Sequence, residues 1–335
     1  MQPPDLESGG CFFLFPYNDF MKRSIFLALT VLSSVQLFAE KKFSIGSYFS
    51  IKDGIQYEHL YSSADDNQEV SLLEWEYSPL YCFGLSCDFN SNGFKAFFKM
   101  DTAIPASCGH MYDSDFFFLN GIKDTCNYSK SENFCRKNFN TEIGTGYELK
   151  FLNSFFLVPS LKLDYSYYDF KAENGRGRYG RAPYSKTGQD VNWKSEYAKE
   201  VKLYGCEFKR HLFNTWLGIE TFYSMRENFN AGFCLYTNLY SYTYSLDHHL
   251  NKPTLDTYLD MAASSSFSKY RYGFFTNILL SQRLSFNASL EFTNGPAEKG
   301  KSRYADCSKN FHSIKQKTGA NAKQMNFTAG LKIAL

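Results

Sequence analysis

The sequence has 335 residues, and 36 Lys and Arg against 34 Asp and Glu give a formal net charge of +2 at pH 7. This balance gives no indication of a nucleic-acid partner, and the negative mean hydropathy argues against a helical membrane protein. Aromatic residues make up 19% of the chain, with 25 Tyr and 34 Phe. Such an excess is typical of the interfacial girdles of a membrane β-barrel, so the composition favours an all-β fold.

The N-terminal region has the order of features of an exported protein. Residues 21–39 read MKRSIFLALTVLSSVQLFA, in which two basic residues precede an apolar stretch too short to span a membrane. We therefore expect a signal peptide at 21–39, in preference to a buried helix. Residues 1–20 fit neither a signal nor a domain, and we expect them to be a mis-assigned N-terminal extension, with translation starting at Met21.

Export makes disulfide bonds possible for the cysteines that follow the predicted signal peptide. The sequence alone does not define their pairing. Cys126 and Cys135 lie in one polar stretch and could close a local loop or remain thiols. The eight cysteines are Cys82, Cys87, Cys108, Cys126, Cys135, Cys206, Cys234 and Cys307.

From Phe43 onward, apolar and polar residues alternate in many short segments, of which Leu161–Tyr167 is a clear case. A period of two places one set of side chains on each face of a strand. The inward set in this segment would be Lys162, Asp164 and Ser166. These polar residues suit a wet lumen, and because no internal repeat or linker interrupts the pattern, residues 40–335 are predicted to form one barrel domain.

Short and long connections alternate along this domain, as expected when short turns face the periplasm and long loops face outside. Short turns are predicted at 91–93, 152–154, 213–214 and 281–282. Long polar loops are predicted near 107–137, 173–196, 247–254 and 295–318. The predicted strands are 43–62, 68–90, 94–106, 138–151, 155–172, 197–212, 215–246, 255–280, 283–294 and 319–335. The fold class is therefore predicted as all-β, a ten-stranded antiparallel transmembrane β-barrel with long extracellular loops.

Two polar motifs could carry chemistry: Asp113 with Asp115, and Asp247 with His249. Residues two apart on a strand share a face, so each motif directs two polar groups into one space. The motifs follow the third and seventh predicted strands, which places them on the same rim, on opposite sides of a ten-strand ring. We expect the two carboxylates to face the Asp-His couple over a water-accessible cleft.

Such a group suits peptide hydrolysis by activated water. His249 would be the general base, and Asp247 would orient it and stabilise the imidazolium. Asp113 would share the attacking water, and Asp115 would carry a proton toward the developing oxyanion. Taken alone, the Asp-x-Asp motif is more often a solvated turn, and Asp-His-His could be loop polarity or part of a metal site. Their joint placement favours hydrolysis with no required metal.

The motifs around these residues resemble the omptin family of outer-membrane proteases from bacteria with two membranes. The resemblance covers the chain from about Ile45 to its end and rests on segments at Ser71–Trp75, Met111–Phe116 and Phe327–Lys332. It implies a ten-stranded barrel in the outer membrane whose active site faces outside and cleaves exposed polypeptides. Asp113, Asp115, Asp247 and His249 match the family's catalytic Asp-x-Asp and Asp-x-His pairs.

The resemblance also implies substrate-binding residues. Glu58 resembles a glutamate in the pocket that selects a basic residue before the cleaved bond, and Glu142 resembles an acidic residue facing the subsite after the cut. Ser245 stands where the family has a second pocket acid, which weakens the implied preference for Arg or Lys. The stretch 164–170 lacks the Arg of the family's lipopolysaccharide-binding group, so neither lipopolysaccharide dependence nor another cofactor is predicted.

The expected partners are polypeptide substrates and outer-membrane lipid, and we expect a monomer. Two alternatives from other functional classes use the same fold. A catalytically inactive barrel could act as an adhesin or surface-binding protein, and a small barrel could act as a pore. Cleavage of a peptide would distinguish the first from a protease, and channel conductance would test the second, because ten strands leave little open lumen.

Overall fold

A computed structural model describes residues 42–65, 67–226, 228–250, 256–305 and 311–335. The predicted signal peptide and N-terminal extension lie outside the described residues. The described part of the chain contains no helix of the length and apolarity that a membrane crossing needs. It contains these strands: β1 Lys42–Tyr61, β2 Glu69–Ser91, β3 Phe94–Ala103, β4 Ala106–Leu119, β5 Ile122–Tyr147, β6 Leu149–Leu152, β7 Phe155–Tyr179, β8 Lys199–Leu203, β9 Cys206–Arg226, β10 Phe229–His249, β11 Asp256–Ser264, β12 Tyr270–Leu279, β13 Leu284–Asn294, β14 Glu298–Ala305 and β15 Phe311–Ala334.

The strands form one antiparallel sheet that closes on itself. β1 pairs with β2 along one edge and with β15 along the other, from Ser44↔Ala334 to Leu60↔Thr318. Several positions in the ring hold two consecutive strands, because β3 and β4 both lie between β2 and β5. Likewise β5 and β6 share one ring position, as do β8 and β9, β11 and β12, and β13 and β14. The ring therefore has ten positions, which confirms the predicted fold class.

One end of the barrel carries the tight turns, and we call it the short-turn end. Asn92 and Gly93 have φ of 49° and 80° between β2 and β3, the conformation that a two-residue hairpin turn requires. The predicted turns at 91–93, 152–154 and 281–282 are confirmed. The turn predicted at 213–214 is wrong, because both residues lie within β9 and the chain turns between Arg226 and Phe229. Asn214 is polar because it faces the lumen, where it donates to Asp164 over 2.6 Å.

The other end, the long-hairpin end, differs from the prediction of long polar loops. The region predicted as a loop at 107–137 is mostly the hairpin of β4 and β5, which turns at Asn120 and Gly121. β7 continues to Tyr179, β10 to His249, and β14 and β15 occupy most of 295–318. The strand predicted at 255–280 is interrupted after Ser264. Backbone pairing continues here although the sequence is polar on both faces, since strand ladders do not require an apolar face.

The outward face of the short-turn half is apolar, as in the lipid-contacting band of a membrane barrel. The alternation predicted for Leu161–Tyr167 is confirmed at its start, because Leu161 and Leu163 are exposed while Lys162 is buried in the lumen. Each strand that crosses this half contributes similar residues. Exposed members of the band include Phe83, Leu85, Leu217, Leu235, Phe274, Phe327, Leu331 and Ile333.

Side chains fill the lumen between the two ends. Trp75 and Phe208 stack with ring centroids 4.8 Å apart, and Phe170 packs against both. We call these three side chains the aromatic layer. Ion pairs lie nearer the short-turn end, such as Lys52 with Asp101 at 2.5 Å. A cavity of about 480 Å³ opens beyond them at the short-turn end.

The cysteines do not close the local loop considered for Cys126 and Cys135. Both residues lie on β5 and are nine positions apart, which is about 30 Å along an extended strand. All the cysteines within the described ranges are free thiols, whereas Cys307 lies outside those ranges.

Candidate active site

Asp113 and Asp115 lie on β4 near the long-hairpin end. They are two residues apart and follow buried Met111 by two and four positions, so all three share the lumen-facing side of the strand. On the neighbouring strand β5, Asn127 is in register with Asp115 and donates from Nδ2 to its Oδ2 over 2.8 Å. The hydrogen bond holds the Asp115 carboxylate in one orientation.

Asp247 and His249 lie at the end of β10, on the side of the strand that buries Ser245. Asp247 Oδ2 and His249 Nε2 are 2.7 Å apart. Burial opposes ionisation of Asp247, but the interaction with His249 outweighs it and lowers the pKa of the Asp247 carboxyl. The imidazole also meets the ring of Tyr258 edge to face, with centroids 5.6 Å apart. These contacts fix an ionised Asp247 beside an oriented imidazole.

The two pairs interact electrostatically across the lumen, because β4 and β10 occupy the third and seventh of the ten ring positions. Burial raises the pKa of Asp113 to about 8; Asp115 and Asp247 reinforce the increase, while His249 opposes it. Asp113 therefore keeps a proton at neutral pH. Tyr179 of β7 also lies within the field of Asp113 and Asp115. The arrangement brings Asp113, Asp115, Asp247 and His249 to one space, with a proton on Asp113 and an ionised Asp247.

Cys206 is a member of this group that the sequence analysis did not identify. It is the register partner of His249 on β9, and its thiol donates to Asp247 Oδ1. Burial and the charge of Asp247 raise the pKa of the thiol well above its usual range, so Cys206 is a neutral donor. The register of β9 against β10 would have indicated this contact, but the turn wrongly predicted within β9 concealed it.

Glu58 lies beneath the group, on the aromatic layer. It accepts a hydrogen bond from Trp75 Nε1 over 3.1 Å. Burial raises its pKa, Asp247 adds to the increase, and the Arg210 guanidinium opposes it. Arg210, which the sequence analysis also missed, has no exposed surface and donates to Ser245 Oγ over 2.9 Å. Ser245, which by the resemblance stands where the family has a second pocket acid, thus contacts a buried arginine.

Arg210 makes further contacts that hold its guanidinium in place. It donates to Gln56 Oε1 over 3.1 Å and to the Tyr57 carbonyl over 3.0 Å, and it lies 4.7 Å from the centre of the Phe208 ring. Its charge interacts with Glu58 and Asp260. Arg210 therefore places a cation of the chain itself beside these two acidic groups, below the candidate catalytic residues.

Glu142 does not lie with these residues. It pairs with Arg271 and lies 3.9 Å from Lys162 Nζ, in the lumen of the short-turn half. Ser129, not Glu142, is the residue of β5 in register with Asp113. Thirteen positions separate Ser129 from Glu142, which is about 44 Å along the strand. The predicted position of Glu142 beside the catalytic group differs from the observed one, and we do not retain Glu142 as a substrate-binding residue.

The stretch 164–170, which lacks an Arg in sequence, obtains one from the adjacent strand. Arg136 of β5 lies 2.5 Å from Asp169 Oδ1 and 2.6 Å from Glu207 Oε1. A sequence comparison along one strand does not reveal this group of three residues, because each comes from a different strand. The absence of a lipopolysaccharide requirement stays a prediction.

Comparisons with known proteins agree with this architecture. Residues 39–335 match the sequence profile described as the Omptin family. The fold is similar to the outer membrane protease OmpT from Escherichia coli, with a TM-score of 0.74 and 13% identity over 89% of this chain and 99% of that one. OprG from Pseudomonas aeruginosa also matches, with a TM-score of 0.33 and 9% identity over 87% of this chain and 96% of that one. No curated protein sequence matches the chain. The profile match spans most of the sequence and confirms the resemblance noted from the motifs: the chain belongs to the Omptin family.

Proposed function

We propose that this protein is an outer-membrane endopeptidase that hydrolyses exposed polypeptides with an activated water. The observation that carries the proposal is the electrostatic coupling of protonated Asp113 with the Asp247–His249 couple across the lumen. Membership of the Omptin family and the similarity in fold to an outer membrane protease support it. Perturbed titratable groups that converge in a cleft are a feature of hydrolytic sites.

In the proposed reaction, His249 accepts a proton from a water molecule in the cleft as the water attacks the peptide carbonyl. Asp247 orients the imidazole through the 2.7 Å contact and stabilises the imidazolium that forms. The imidazolium then gives its proton to the leaving amine. Cys206 helps to hold Asp247 by donating to its other oxygen.

The Asp113–Asp115 pair stabilises the developing oxyanion. We assign the shared proton to Asp113, whose pKa is raised to about 8, whereas the sequence analysis assigned it to Asp115. Protonated Asp113 can donate a hydrogen bond to the oxyanion, which an ionised carboxylate cannot do. Asn127 holds Asp115 in place, and the interaction with Asp115 favours the proton on Asp113. No metal ion takes part in these steps.

The apolar band supports placement in the outer membrane, with the catalytic group in the part of the barrel that extends beyond the band. We propose that this long-hairpin end faces outside, where polypeptide substrates can reach it. The monomeric state and the contact with outer-membrane lipid stay predictions.

The two alternative functions fit the lumen less well. Trp75, Phe170 and Phe208 are fully buried and close the lumen below the catalytic group, which does not suit a pore. Burying ionisable groups costs folding free energy. An adhesin would gain nothing from a buried carboxyl that interacts with an Asp-His couple, whereas a protease would use it in catalysis. We therefore prefer the protease.

Substrate preference depends on the region of Glu58. A basic substrate side chain could pair with Glu58, but the charge of Arg210 already acts on this carboxyl and Ser245 supplies no second acid. We propose that Arg210 weakens the preference for Arg or Lys before the cleaved bond.

A peptide cleavage assay tests the proposed function. Protein refolded in detergent is incubated with a mixture of peptides of varied sequence, in the presence of EDTA, and the products are identified by mass spectrometry. We expect internal cleavage by the wild type and none by Asp113→Ala. Absence of cleavage by a correctly folded wild type would favour the alternative of a catalytically inactive barrel that acts as an adhesin or surface-binding protein.

A further inference from the structure

The segment that joins β7 to β8, residues 180–198, supplies no group to the proposed hydrolysis, yet it lies against the strand that carries Asn127. The pairing of β5 with β7 ends at Asn127. Beyond this point the segment takes over the edge of β5, since Gly180 N donates to the Cys126 carbonyl over 2.8 Å. We call residues 180–198 the strap.

Further contacts hold the strap on β5. The backbone N–H of Trp193 donates to the Thr125 carbonyl over 3.1 Å. Asn192 Nδ2 donates to Asp124 Oδ1 over 2.6 Å. The Trp193 ring packs on the ring of Tyr128, with centroids 4.7 Å apart. Backbone and side-chain contacts together therefore fix one position of the strap on this strand.

This position depends on the absence of a side chain at Gly180. The Gly180 carbonyl accepts a hydrogen bond from Val191 N over 2.8 Å, so the two ends of the strap approach each other closely. A Cβ atom at position 180 would overlap the Val191 carbonyl and would lie 3.0 Å from the Cys126 carbonyl. Both obstacles are backbone atoms, which do not rotate away. Gly180→Ala should therefore displace the strap from β5.

Asn127 connects the strap to Asp115. Its Oδ1 accepts a hydrogen bond from Arg181 N over 3.2 Å, and its Nδ2 donates to Asp115 Oδ2 over 2.8 Å. Because a backbone N–H can only donate, it must face the amide oxygen, which turns the NH₂ group toward the Asp115 carboxyl. Asn127 is buried, so water does not readily replace the strap as its partner. The strap therefore determines which group Asn127 presents to Asp115.

We propose that the strap positions Asp115 for hydrolysis through Asn127, which makes Asn127 a positioning residue. With the strap on β5, Asn127 holds Asp115 in the orientation from which it acts on Asp113. With the strap displaced, the Asn127 amide can rotate and release the carboxyl. A shift of a catalytic group by about 1 Å can lower the rate about 100-fold. The effect on hydrolysis rests on the proposed function, whereas the coupling of the strap to Asp115 does not.

Fluorescence follows the position of the strap, because Trp193 is partly exposed. The other two tryptophans, Trp75 and Trp216, are buried in the lumen. Quenching by acrylamide of the full chain refolded in detergent therefore reports Trp193. We expect stronger quenching in Gly180→Ala than in the wild type. Glu196→Gln, which changes an exposed side chain of the strap, is the matched control and should match the wild type.

Nuclear magnetic resonance follows the Asn127 side chain without catalysis. Its NH₂ resonances are assigned by their absence from Asn127→Ala. We expect Gly180→Ala to shift these resonances, as Asp115→Asn does, and Glu196→Gln to leave them unchanged. If Gly180→Ala does not fold, as judged by migration in an unheated SDS gel, Asn192→Ala replaces it. A displaced strap with unchanged Asn127 resonances, or a strap that neither substitution displaces, would overturn the proposal.

Peptide cleavage measures the effect on hydrolysis. We expect Gly180→Ala and Asn127→Ala each to lower kcat by about 10- to 100-fold with little change in KM. The double variant should be no slower than the slower single variant, because both substitutions break the same connection. Multiplied losses in the double variant would show that the strap acts by another route and would overturn the proposal. If the wild type cleaves no peptide, the proposed function fails, while the Asn127 resonances still decide the coupling of the strap to Asp115.

Discussion

Asp113 and His249 act on each other across the lumen although they lie 136 positions apart in sequence, since β4 and β10 lie on opposite sides of the closed ring. Neither strand alone contains the catalytic group. The proposed hydrolytic site therefore exists only when the whole barrel has closed, and activity should appear on refolding together with the completed sheet.

Replacement of the orienting carboxylate tests the role of the Asp247–His249 contact. We expect Asp247→Asn to lower kcat by about 10² to 10⁴-fold with little change in KM, because an amide neither stabilises the imidazolium nor holds its tautomer. Steady-state kinetics on one peptide measures this effect. Glu173→Gln, which changes an exposed side chain on β7, is the matched control and should keep wild-type kinetics. A kcat of Asp247→Asn near that of the control would contradict the assignment.

The pH dependence of activity reports the proton on Asp113. Because its pKa is raised to about 8, the oxyanion donor is lost as the pH rises through this value, and kcat/KM should fall with a midpoint near pH 8. Asp113→Asn keeps a donor at all pH values, so any remaining activity should not show this alkaline decrease. An unchanged alkaline limb in Asp113→Asn would assign the proton to another group.

The same proton affects stability. The pKa of Asp113 is higher in the folded than in the unfolded chain, so its stabilising contribution is complete below pH 3.8 and is lost as the pH rises through about 8. Glu58 and Asp260 contribute with the same sign. Urea unfolding in detergent should therefore show that the free energy of unfolding falls between about pH 5 and about pH 9. The fall should be smaller for Asp113→Asn than for the wild type.

The aromatic layer should contribute strongly to stability. Trp75 is fully buried against Phe208, and Trp75→Ala would leave a cavity and remove the donor to Glu58. We expect the free energy of unfolding to fall by about 3 to 5 kcal/mol. Ile122→Thr, at an exposed hairpin position, should change it by less than about 0.5 kcal/mol. Equal effects of the two substitutions would show that the layer is not a packed core.

Arg210 provides the test of substrate preference. In Arg210→Met, Glu58 loses an opposing cation, and a basic substrate residue can take its place. The ratio of kcat/KM for a peptide with Arg before the cleaved bond to that for the matched Ala peptide should rise by about tenfold. Arg210→Lys retains the charge and serves as the control. An unchanged ratio in Arg210→Met would show that Arg210 does not influence substrate preference.

Apart from β9, within which a turn was predicted, the strands in the apolar band were predictable because their alternation is strong. Leu161 and Lys162 differ sharply in polarity, and the period of two assigned each of them to the correct face. Beyond the band both faces are polar, and the sequence then resembles a loop even where backbone pairing continues. For this reason the hairpin of β4 and β5 was predicted as a loop.

The candidate site was predictable only in part, for a related reason. The spacing of Asp113 with Asp115 and of Asp247 with His249 is visible within single strands. Cys206 and Arg210 join the site through the register between β9 and β10, and Asn214 on β9 was interpreted as a turn former although it faces the lumen. Contacts between strands require the register, which period alone does not fix.

The most direct test of the central claim is peptide cleavage by refolded wild type, His249→Gln and the control Glu173→Gln in the presence of EDTA. We predict cleavage by the wild type and by the control, and a loss of at least about 100-fold in kcat for His249→Gln. Full activity of a folded His249→Gln barrel, or loss of wild-type activity in EDTA, would contradict a metal-independent hydrolysis by Asp113, Asp115, Asp247 and His249.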